Sequence, residues 1–538
     1  MISDFDVIVV GAGPTGLTMG HLLGKKGIRT LIIERNKETV AQPRAVSIDD
    51  EALRTMQAAG VLQEVLADVA LDYGLASFDA SGRQLQAVHP TTREYGFPRR
   101  NAFVQPLLEG ALNRSLVSKA GVSTLFSTRC IGISESGEHV DVRVVDADGK
   151  ERELRSRFVI GADGASSFVR QSIGATLEGA TFDQRWLIID LENTKDRFRE
   201  SIGYFDPARP AVNLPGPDGR RRFEFMLHPH EKDTDFLDDK VIRELLSRYG
   251  PDQDAHIVRK QVYGFHARVA DRWQTRRIFL CGDAAHLSPP FAGQGVNSAF
   301  RDVHNLSWKI AAVVRGDMGP GVLSSYQVER EPHARALIDM AVKNGKHFMV
   351  KPGLHARLAN LGTRLAMMIP SVAEHYAQMK NKPKGSYTQG FLAGAGSSER
   401  VGRLAPQPTL ETLDRRLHLM DELIGVGFAL LVIGIDAQEA AATLAAADWK
   451  LPGVRVLAIV PRNYNLHRSI WTQGAGRDIN DAFGADANTR VLLLRPDRYV
   501  AFDAPYAHNP EQLAQRVRAL VETTFEPVSE APSASSTG

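Results

Sequence analysis

The sequence predicts an α/β protein: a discontinuous nucleotide-binding domain on a parallel sheet, a mainly β domain inserted into it, and a separate α/β module near the C-terminal end. Three observations carry this. Val7-Ile8-Val9-Val10, a glycine turn, an amphipathic stretch to Lys26 and Thr30-Leu31-Ile32-Ile33 spell a βαβ unit. Strand-like runs with few helical patterns between them occupy about Thr181 to Trp273, after which Arg277-Ile278-Phe279-Leu280 returns to the first domain. Beyond Ser398, strand and helix patterns alternate afresh.

Taken in order, the first domain begins at residue 1 and runs to about 180. Within it, apolar and polar residues alternate from Thr124 to Ile160, broken at Ser136-Gly137 and Asp148-Gly149, which predicts an antiparallel meander followed by a parallel strand at Arg157 to Gly161. The inserted domain spans 181–273 and is read as the substrate side, with strands at Leu187 to Leu191, Arg222 to Leu227 and Ile257 to Phe265. Residues 274–350 complete the first domain with a long helical region from about Gly295 to Met349. A helical segment and Lys/Gly/Pro-containing linker follow at 351–398. The module at 399–526 carries strands at Phe428 to Ile433, Val454 to Val460, Val491 to Leu494 and Tyr499 to Phe502, a helix over Ala437 to Ala446 and a final helix from Pro510 to Glu522. The Ser/Pro/Ala-rich residues 527–538 are expected to be a disordered tail.

Composition narrows the partners. With 538 residues and 43% hydrophobic content the chain can bury a large core in two to four domains. A net charge of +2 and the lack of any Lys/Arg block give no footprint for nucleic acid or an acidic membrane, so a small molecule is the expected partner. The longest apolar run, Phe428 to Ile435, is far short of the roughly 20 residues a bilayer requires. Only Cys130 and Cys281 occur, which excludes a disulfide scaffold and a four-cysteine zinc site; no metal is expected, and the cytoplasm is the expected compartment. The acidic residues among Met1 to Asp6 argue against a signal peptide.

Gly11-Ala12-Gly13-Pro14-Thr15-Gly16 follows the first strand and opens a helix, and Glu34, with Arg35 beside it, closes the next strand. Gly11 permits the tight turn, Gly13 lets a pyrophosphate approach the backbone, Gly16 lets helix and strand pack, and Glu34 suits a ribose. This fingerprint does not separate NAD from FAD. Two further segments each follow a strand and so belong at the carboxyl edge of the sheet: Gly161-Ala162-Asp163-Gly164-Ala165-Ser166-Ser167-Phe168-Val169-Arg170, and Cys281-Gly282-Asp283-Ala284-Ala285-His286.

Together the three segments resemble those of the class A flavoprotein aromatic hydroxylases, the group of p-hydroxybenzoate hydroxylase and phenol hydroxylase. The third extends through Leu287-Ser288-Pro289-Pro290-Phe291-Ala292-Gly293-Gln294-Gly295-Val296-Asn297 to Asp302, Asn305-Leu306 and Trp308-Lys309, similar to the long flavin motif of that family. The likeness covers roughly residues 5 to 345. Pro43-Arg44-Ala45, Ile48 to Leu53 and Phe265-His266-Ala267-Arg268 leading to Asp271-Arg272-Trp273 most resemble the 3-(3-hydroxyphenyl)propionate hydroxylase branch.

The resemblance implies a glutathione-reductase-like FAD domain and a thioredoxin-like C-terminal domain, the latter without Cys-x-x-Cys and associated in the family with homodimer contacts. It implies FAD as cofactor and NADH or NADPH as co-substrate. Arg44 is assigned to the FAD phosphates or ribose, Gln105 to the flavin, Asp283 to the ribityl or ribose hydroxyls, and Asp163-Gly164 to closing the pocket and docking the nicotinamide. A surface salt bridge for Arg44 and a solvated loop amide for Gln105 stay open. Gly293 to Asn297 would turn backbone amides and a helix dipole toward the flavin pyrimidine edge, the alternative being a Gly-rich N-cap with no ligand.

The chemistry implied is hydride transfer to FAD, then trapping of O2 as a flavin C4a-hydroperoxide that attacks a phenolic ring in a dry pocket. A base or relay for the phenol is expected from His266, Tyr263, Asp49 or Asp50. The plainer readings, a structural histidine and helix caps for the two aspartates, also stand. The phenol hydroxylase pattern has an Asp after the Arg-Ala pair where this chain has Val46, so that acid is not carried over. Rival readings are another flavoenzyme of the same fold, an epoxidase or reductase, and a non-catalytic flavin-binding protein; a halogenase would carry Trp-x-Trp-x-Ile-Pro, which the chain lacks.

Overall fold

A computed structural model describes residues 4–349, 353–393, 398–434, 436–451, 453–460, 471–474, 483, 489–506 and 510–522. Residues 527–538 lie outside that set.

The βαβ unit is present as strand Phe5–Val10, helix Pro14–Gly24 and strand Thr30–Ile33. Both strands are Val/Ile-rich and buried on both faces, as a central parallel sheet demands. Phe5–Val10 pairs in parallel with Thr30–Ile33 on one side and with Glu151–Gly161 on the other, and Ile278–Leu280 adds in parallel beyond that. Their carboxyl ends therefore share one edge. The expected meander is formed by Arg129–Ser136, His139–Val145 and Glu151–Gly161, all antiparallel; the last strand is long enough to leave the meander and enter the parallel sheet. The helical region divides into Gly295–Arg315 and Ser325–Phe348, separated by Gly316 in the left-handed region and a 3-10 turn at Pro320–Ser324.

The second sheet is eight-stranded and wider than the sequence implied. Its two longest strands, His256–Ala270 and Leu177–Glu192, pair with each other and are followed by Arg221–Leu227, Ala211–Pro215 and Ser201–Phe205. One end is built from Leu75–Asp79 and Gln84–Val88, and His286–Leu287 joins the other. The boundary at residue 181 thus misses a hairpin that lies a hundred residues upstream and pairs in parallel with Ser201–Phe205. Short amphipathic strands carry no mark of which sheet they join.

The helical segment expected within 351–398 is present, and residues 378–393 after it do more than link. Helices Leu354–Met367 and Pro370–Ala377 pack near Gln84–Val88, and the chain after them runs through buried contacts. Lys382 pairs with Asp49 at 2.9 Å and Glu51 at 3.2 Å, and Tyr387 stacks on Tyr499 with centroids 4.0 Å apart.

In the C-terminal module, Ala429–Ile433 and Arg455–Val460 pair in parallel around helix Ala437–Ala445, and Arg490–Leu494 with Val500–Pro505 extends the sheet antiparallel. Buried ion pairs fasten the module to the first domain. Arg495 bonds Glu329 at 2.7 and 2.8 Å, and Arg54 bonds both carboxylate oxygens of Asp421 at 2.8 Å. Among the described residues no helix is long and apolar enough to cross a membrane.

Candidate active site

The three loops at the shared sheet edge open into one cavity of about 1300 Å³. It runs from the glycine turn and Glu34 at one end to a wall of the second sheet and helices Ser325–Phe348, Leu354–Met367 and Pro370–Ala377 at the other.

At the first loop, Gly11 has φ +109°, and a Cβ there would lie 2.3 Å from the Ala162 carbonyl oxygen; at Gly16 it would lie 1.9 Å from the Gly11 oxygen. Both glycines serve close backbone packing. Gly13 differs, because a Cβ there meets nothing within 4 Å, and its surface is the cavity itself. Helix Pro14–Gly24 has no side-chain cap, which leaves the Thr15 and Gly16 amides without an intrahelical acceptor at the end that meets the cavity. Glu34 accepts from the Ala12 amide at 2.9 Å and from Asn36, which fixes its carboxylate at the rim beside Arg35.

The second loop places Asp163 and Gly164 on the lining. One Asp163 oxygen accepts from the Phe168 and Val169 amides at 2.7 and 3.1 Å; the other is buried without a partner, and burial pushes this carboxyl up. At the third loop, Gly282 (φ +61°) donates to Asp302, which His286 contacts at 2.7 Å and Arg330 at 3.0 Å. Burial raises the Asp302 carboxyl, but the adjacent His286 and Arg330 outweigh it and hold it below the usual range. Asp283 is exposed within the cavity, with His286 and Arg44 nearby.

Pro290, Gly293, Gln294, Gly295 and Val296 also line the cavity. Asn297 does not; its amide nitrogen donates to the carbonyls of Gly293 at 2.7 Å and Ser47 at 3.2 Å, and its oxygen accepts from the Asp49 amide at 3.0 Å. It shapes the turn instead. The Gln105 oxygen accepts from the amides of Arg44 and Ala45, and its nitrogen donates to Glu109, so Gln105 sets the 43–46 loop while also lining the cavity. The Arg44 side chain is left facing the opening with no carboxylate in ion-pair range among the described residues.

The expected relay is not assembled. His266 lies outside the lining, with Nδ1 3.0 Å from the Thr181 hydroxyl of the neighbouring strand. Tyr263 is likewise off the cavity, bonded to Arg259 and Gln261. Alternation along Tyr263 to His266 could not say which face of the sheet meets the ligand. Asp49 is the N-cap of helix Asp50–Ala59, accepting from Ala52 at 2.9 Å, and is ion-paired with Arg301 at 2.5 Å and Lys382. Those two cations outweigh its burial and hold it ionised. Burial pushes the Asp50 carboxyl up; its Oδ2 makes no hydrogen bond and has only Arg99 at 3.8 Å.

The cavity also exposes residues that sequence reasoning missed: Ser47, Tyr73, Arg100, Phe205, His347 and Phe348 among them. Aromatic packing closes its inner end. Trp186 stacks on Phe348 at 5.9 Å, Phe205 meets Phe348 edge-on at 4.7 Å, and Phe291 lies against Gly345, where a Cβ would come within 2.6 Å of the ring. Seven separate segments supply these residues, and no local motif joins them.

The family described as FAD binding domain matches residues 4–341, and the family described as HcaD C-terminal domain matches residues 402–522. This chain belongs to the FAD-binding domain family. It is 37% identical over 505 residues to the 3-(3-hydroxy-phenyl)propionate/3-hydroxycinnamic acid hydroxylase of Burkholderia cenocepacia (strain HI2424), covering 92% of this chain and 93% of the relative. The enzyme of the same description from Klebsiella pneumoniae subsp. pneumoniae is 35% identical over 526 residues, 96% and 94% of the two chains. Among solved structures, the flavin-dependent monooxygenase PieE in complex with FAD and substrate aligns with a TM-score of 0.81 at 21% identity, over 97% of this chain and all of that one. Aklavinone-11 hydroxylase with FAD and aklavinone aligns at 0.78 and 23% identity, with the same coverage. At such identities these two report the fold.

The residues present fit FAD. Gly13 and Gly295 leave open space where a Cβ would intrude, the uncapped start of helix Pro14–Gly24 and the Arg44 guanidinium suit a pyrophosphate, the uncapped start of helix Gly295–Arg315 suits the flavin ring, and Asp283 and Glu34 suit sugar hydroxyls.

Proposed function

We propose that this chain is an FAD-dependent monooxygenase that hydroxylates a phenolic ring with NADH or NADPH and O2, acting on a 3-hydroxyphenylpropanoid as its curated relatives are named to do. One observation carries the reading: the dinucleotide loops and an aromatic-walled chamber form a single continuous cavity, with the Gly293–Val296 turn between them.

FAD, when bound, supplies hydride acceptance and oxygen activation. Gly11 to Thr15 and Arg44 would hold its phosphates, Glu34 and Arg35 the adenosine end, and Asp163, Gly164, Asp283, Pro290 and Gly293 to Val296 the flavin end. The uncapped start of helix Gly295–Arg315 sets amide donors and a positive dipole end at the turn, favouring negative charge there. Phe205, Phe291 and Phe348, backed by Trp186, keep water from the chamber. His347, Tyr73 and Ser47 are polar groups on the chamber wall that could meet a phenol hydroxyl, and Tyr73 already bonds Ser47 at 3.3 Å.

The glutathione-reductase-like description is supported by the parallel order Thr30–Ile33, Phe5–Val10, Glu151–Gly161, Ile278–Leu280 with its inserted meander. The thioredoxin-like description is supported by the βαβ pair, antiparallel hairpin and final helix of the C-terminal module. Domain limits are set at 1–180 and 274–350 for the FAD domain and 181–273 plus the 75–88 hairpin for the substrate domain. A cytoplasmic setting is supported by two buried free thiols, Cys130 and Cys281. The homodimer is supported by helix Leu354–Met367 and the turn after it, where Leu354, Leu358, Leu361, Leu365 and Met368, exposed by 48–76%, recur at alternating spacings of four and three and make a helix-pairing seam.

Stopped-flow reduction tests the function. NADH or NADPH should reduce the flavin faster in the presence of 3-(3-hydroxyphenyl)propionate, and labelled O2 should put one labelled oxygen on the ring. If no phenol accelerates reduction and none gains oxygen, the proposal fails.

A further inference from the structure

Resting on the hydroxylase reading above, we infer that Arg100 anchors a carboxylate on the substrate side chain and so selects anionic phenols over neutral ones.

Arg100 immediately precedes strand Asn101–Phe103 and lines the substrate end of the cavity. Its carbonyl accepts from the Tyr73 amide at 3.2 Å, and its guanidinium lies 4.9 Å from the centre of the Tyr73 ring. One terminal nitrogen reaches the Ser201 hydroxyl at a long 3.4 Å, while Nε is buried and has no hydrogen-bond partner. No carboxylate comes within ion-pair distance of it among the described residues. Its neighbours are otherwise employed. Arg99 pairs with Glu94 at 2.7 Å and bonds the Gln378 carbonyl at 2.8 Å; Arg222 is taken up by Asp190 and the carbonyls of Pro43 and Arg44. Arg35, Arg44 and Arg129, the other guanidinium groups on the lining without an ion pair among the described residues, belong to the dinucleotide end: Arg35 follows Glu34, Arg44 is on the 43–46 loop, and Arg129 follows Thr128, whose amide donates to the Glu34 carbonyl at 2.8 Å.

A half-buried cation held against the Tyr73 ring, with its Nε buried and unbonded, has given up part of its hydration without gaining a counter-charge. That arrangement is unfavourable in the empty cavity and becomes favourable when an anion arrives. A guanidinium offers two parallel donors that match the two oxygens of a carboxylate, and stacking on Tyr73 fixes its plane in advance. The position also sets the reach. The Tyr73 hydroxyl bonds Ser47, and Ser47 packs against the Gly293 turn, where a side chain would meet it at 3.3 Å. One tyrosine therefore separates Arg100 from the turn assigned to the flavin. An aromatic ring with a short carboxylated chain spans the same interval, presenting its ring to the turn and its carboxylate to Arg100.

The experiment compares two ligands of nearly equal shape on FAD-loaded protein, 3-(3-hydroxyphenyl)propionate and its uncharged primary amide. Dissociation constants come from isothermal titration and from the flavin absorbance change. For R100M the acid's Kd should rise by roughly 100-fold, while the amide's shifts by less than about threefold. R100K, which keeps the charge but loses the fork, should fall between them for the acid. A parallel loss of both ligands would assign Arg100 a structural role and overturn the anchor, as would an unchanged Kd for the acid. If wild-type protein binds neither ligand, the hydroxylase reading itself falls, an outcome distinct from loss of selectivity.

Discussion

Gly11→Ala and Gly13→Ala separate glycines required by the fold from glycines required by the ligand. At Gly11 the backbone sits at φ +109°, and a methyl group would lie 2.3 Å from the Ala162 oxygen and 2.7 Å from its carbonyl carbon. Relief requires the turn to move about 1 Å away from the Glu151–Gly161 strand end. The left-handed backbone costs roughly 1–2 kcal/mol and the overpacking about 1–3 kcal/mol. G11A apoprotein should therefore lose about 2–5 kcal/mol of stability and bind FAD poorly as well. Gly13 has φ −78° and ψ −174°, open to any residue, and its methyl would meet no protein atom within 4 Å. Apoprotein stability should hold or rise by roughly 0.4–1 kcal/mol. The methyl instead occupies the space where a pyrophosphate meets the backbone. Disturbing one charge-assisted hydrogen bond there costs about 1.5–3 kcal/mol, roughly 10- to 150-fold in Kd. Denaturant titration of the apoproteins and quenching of FAD fluorescence give both quantities for each variant. G13A binding FAD with the wild-type Kd, or G13A apoprotein losing as much stability as G11A, would refute the assignment of the glycine turn.

Three further outcomes are expected. R495M should lose about 3–5 kcal/mol in chemical denaturation, because Glu329 and Asp497 are left buried without the guanidinium that bonds both at 2.6–2.9 Å; a loss below about 1 kcal/mol would mean the module docks without this contact. His21 is fully buried, with Nε2 2.8 Å from the Leu112 carbonyl, and burial lowers it from 6.5 to about 4. The unfolded chain then takes up the proton first, so stability is flat above pH 6.5 and falls as the pH drops toward 4. Wild type should lose on the order of 2 kcal/mol more than H21Q between pH 7 and pH 5, read by denaturation at each pH, and equal losses would contradict a neutral buried imidazole. H266A should keep turnover within about threefold, since the ring pairs with Thr181 away from the cavity; a loss of about 100-fold or more would restore it as a proton relay.

The dinucleotide end was legible because its chemistry is local. Gly11, Gly13, Gly16 and Glu34 fall within one βαβ unit, and the strand–turn–helix context fixes where each points. Asp163 and Asp283 were reachable by the same logic, each being just beyond a strand of the same sheet. Gln105 lines the cavity and Asn297 does not, and the structure gives both a share in loop-shaping that a motif cannot show. His266 and Tyr263 lie off the cavity lining, which the sequence could not show for a different reason. They sit on a fifteen-residue strand with polar residues on both faces, and a period of two does not say which face is covered.

The sequence by itself determined the parallel sheet edge, the three loops on it and the buried strands of the C-terminal module, because periodicity and glycine placement act over a few residues. Only the tertiary structure decided what forms the substrate chamber. Tyr73 and Arg100, Phe205, His347 with Phe348, and the helices at 354–377 come from segments far apart in the chain, brought together by a parallel pairing of Leu75–Asp79 with Ser201–Phe205 and by helices closing over it. Such long-range pairings depend on side chains meeting across hundreds of residues, so the chain order holds no trace of them until the sheets are packed.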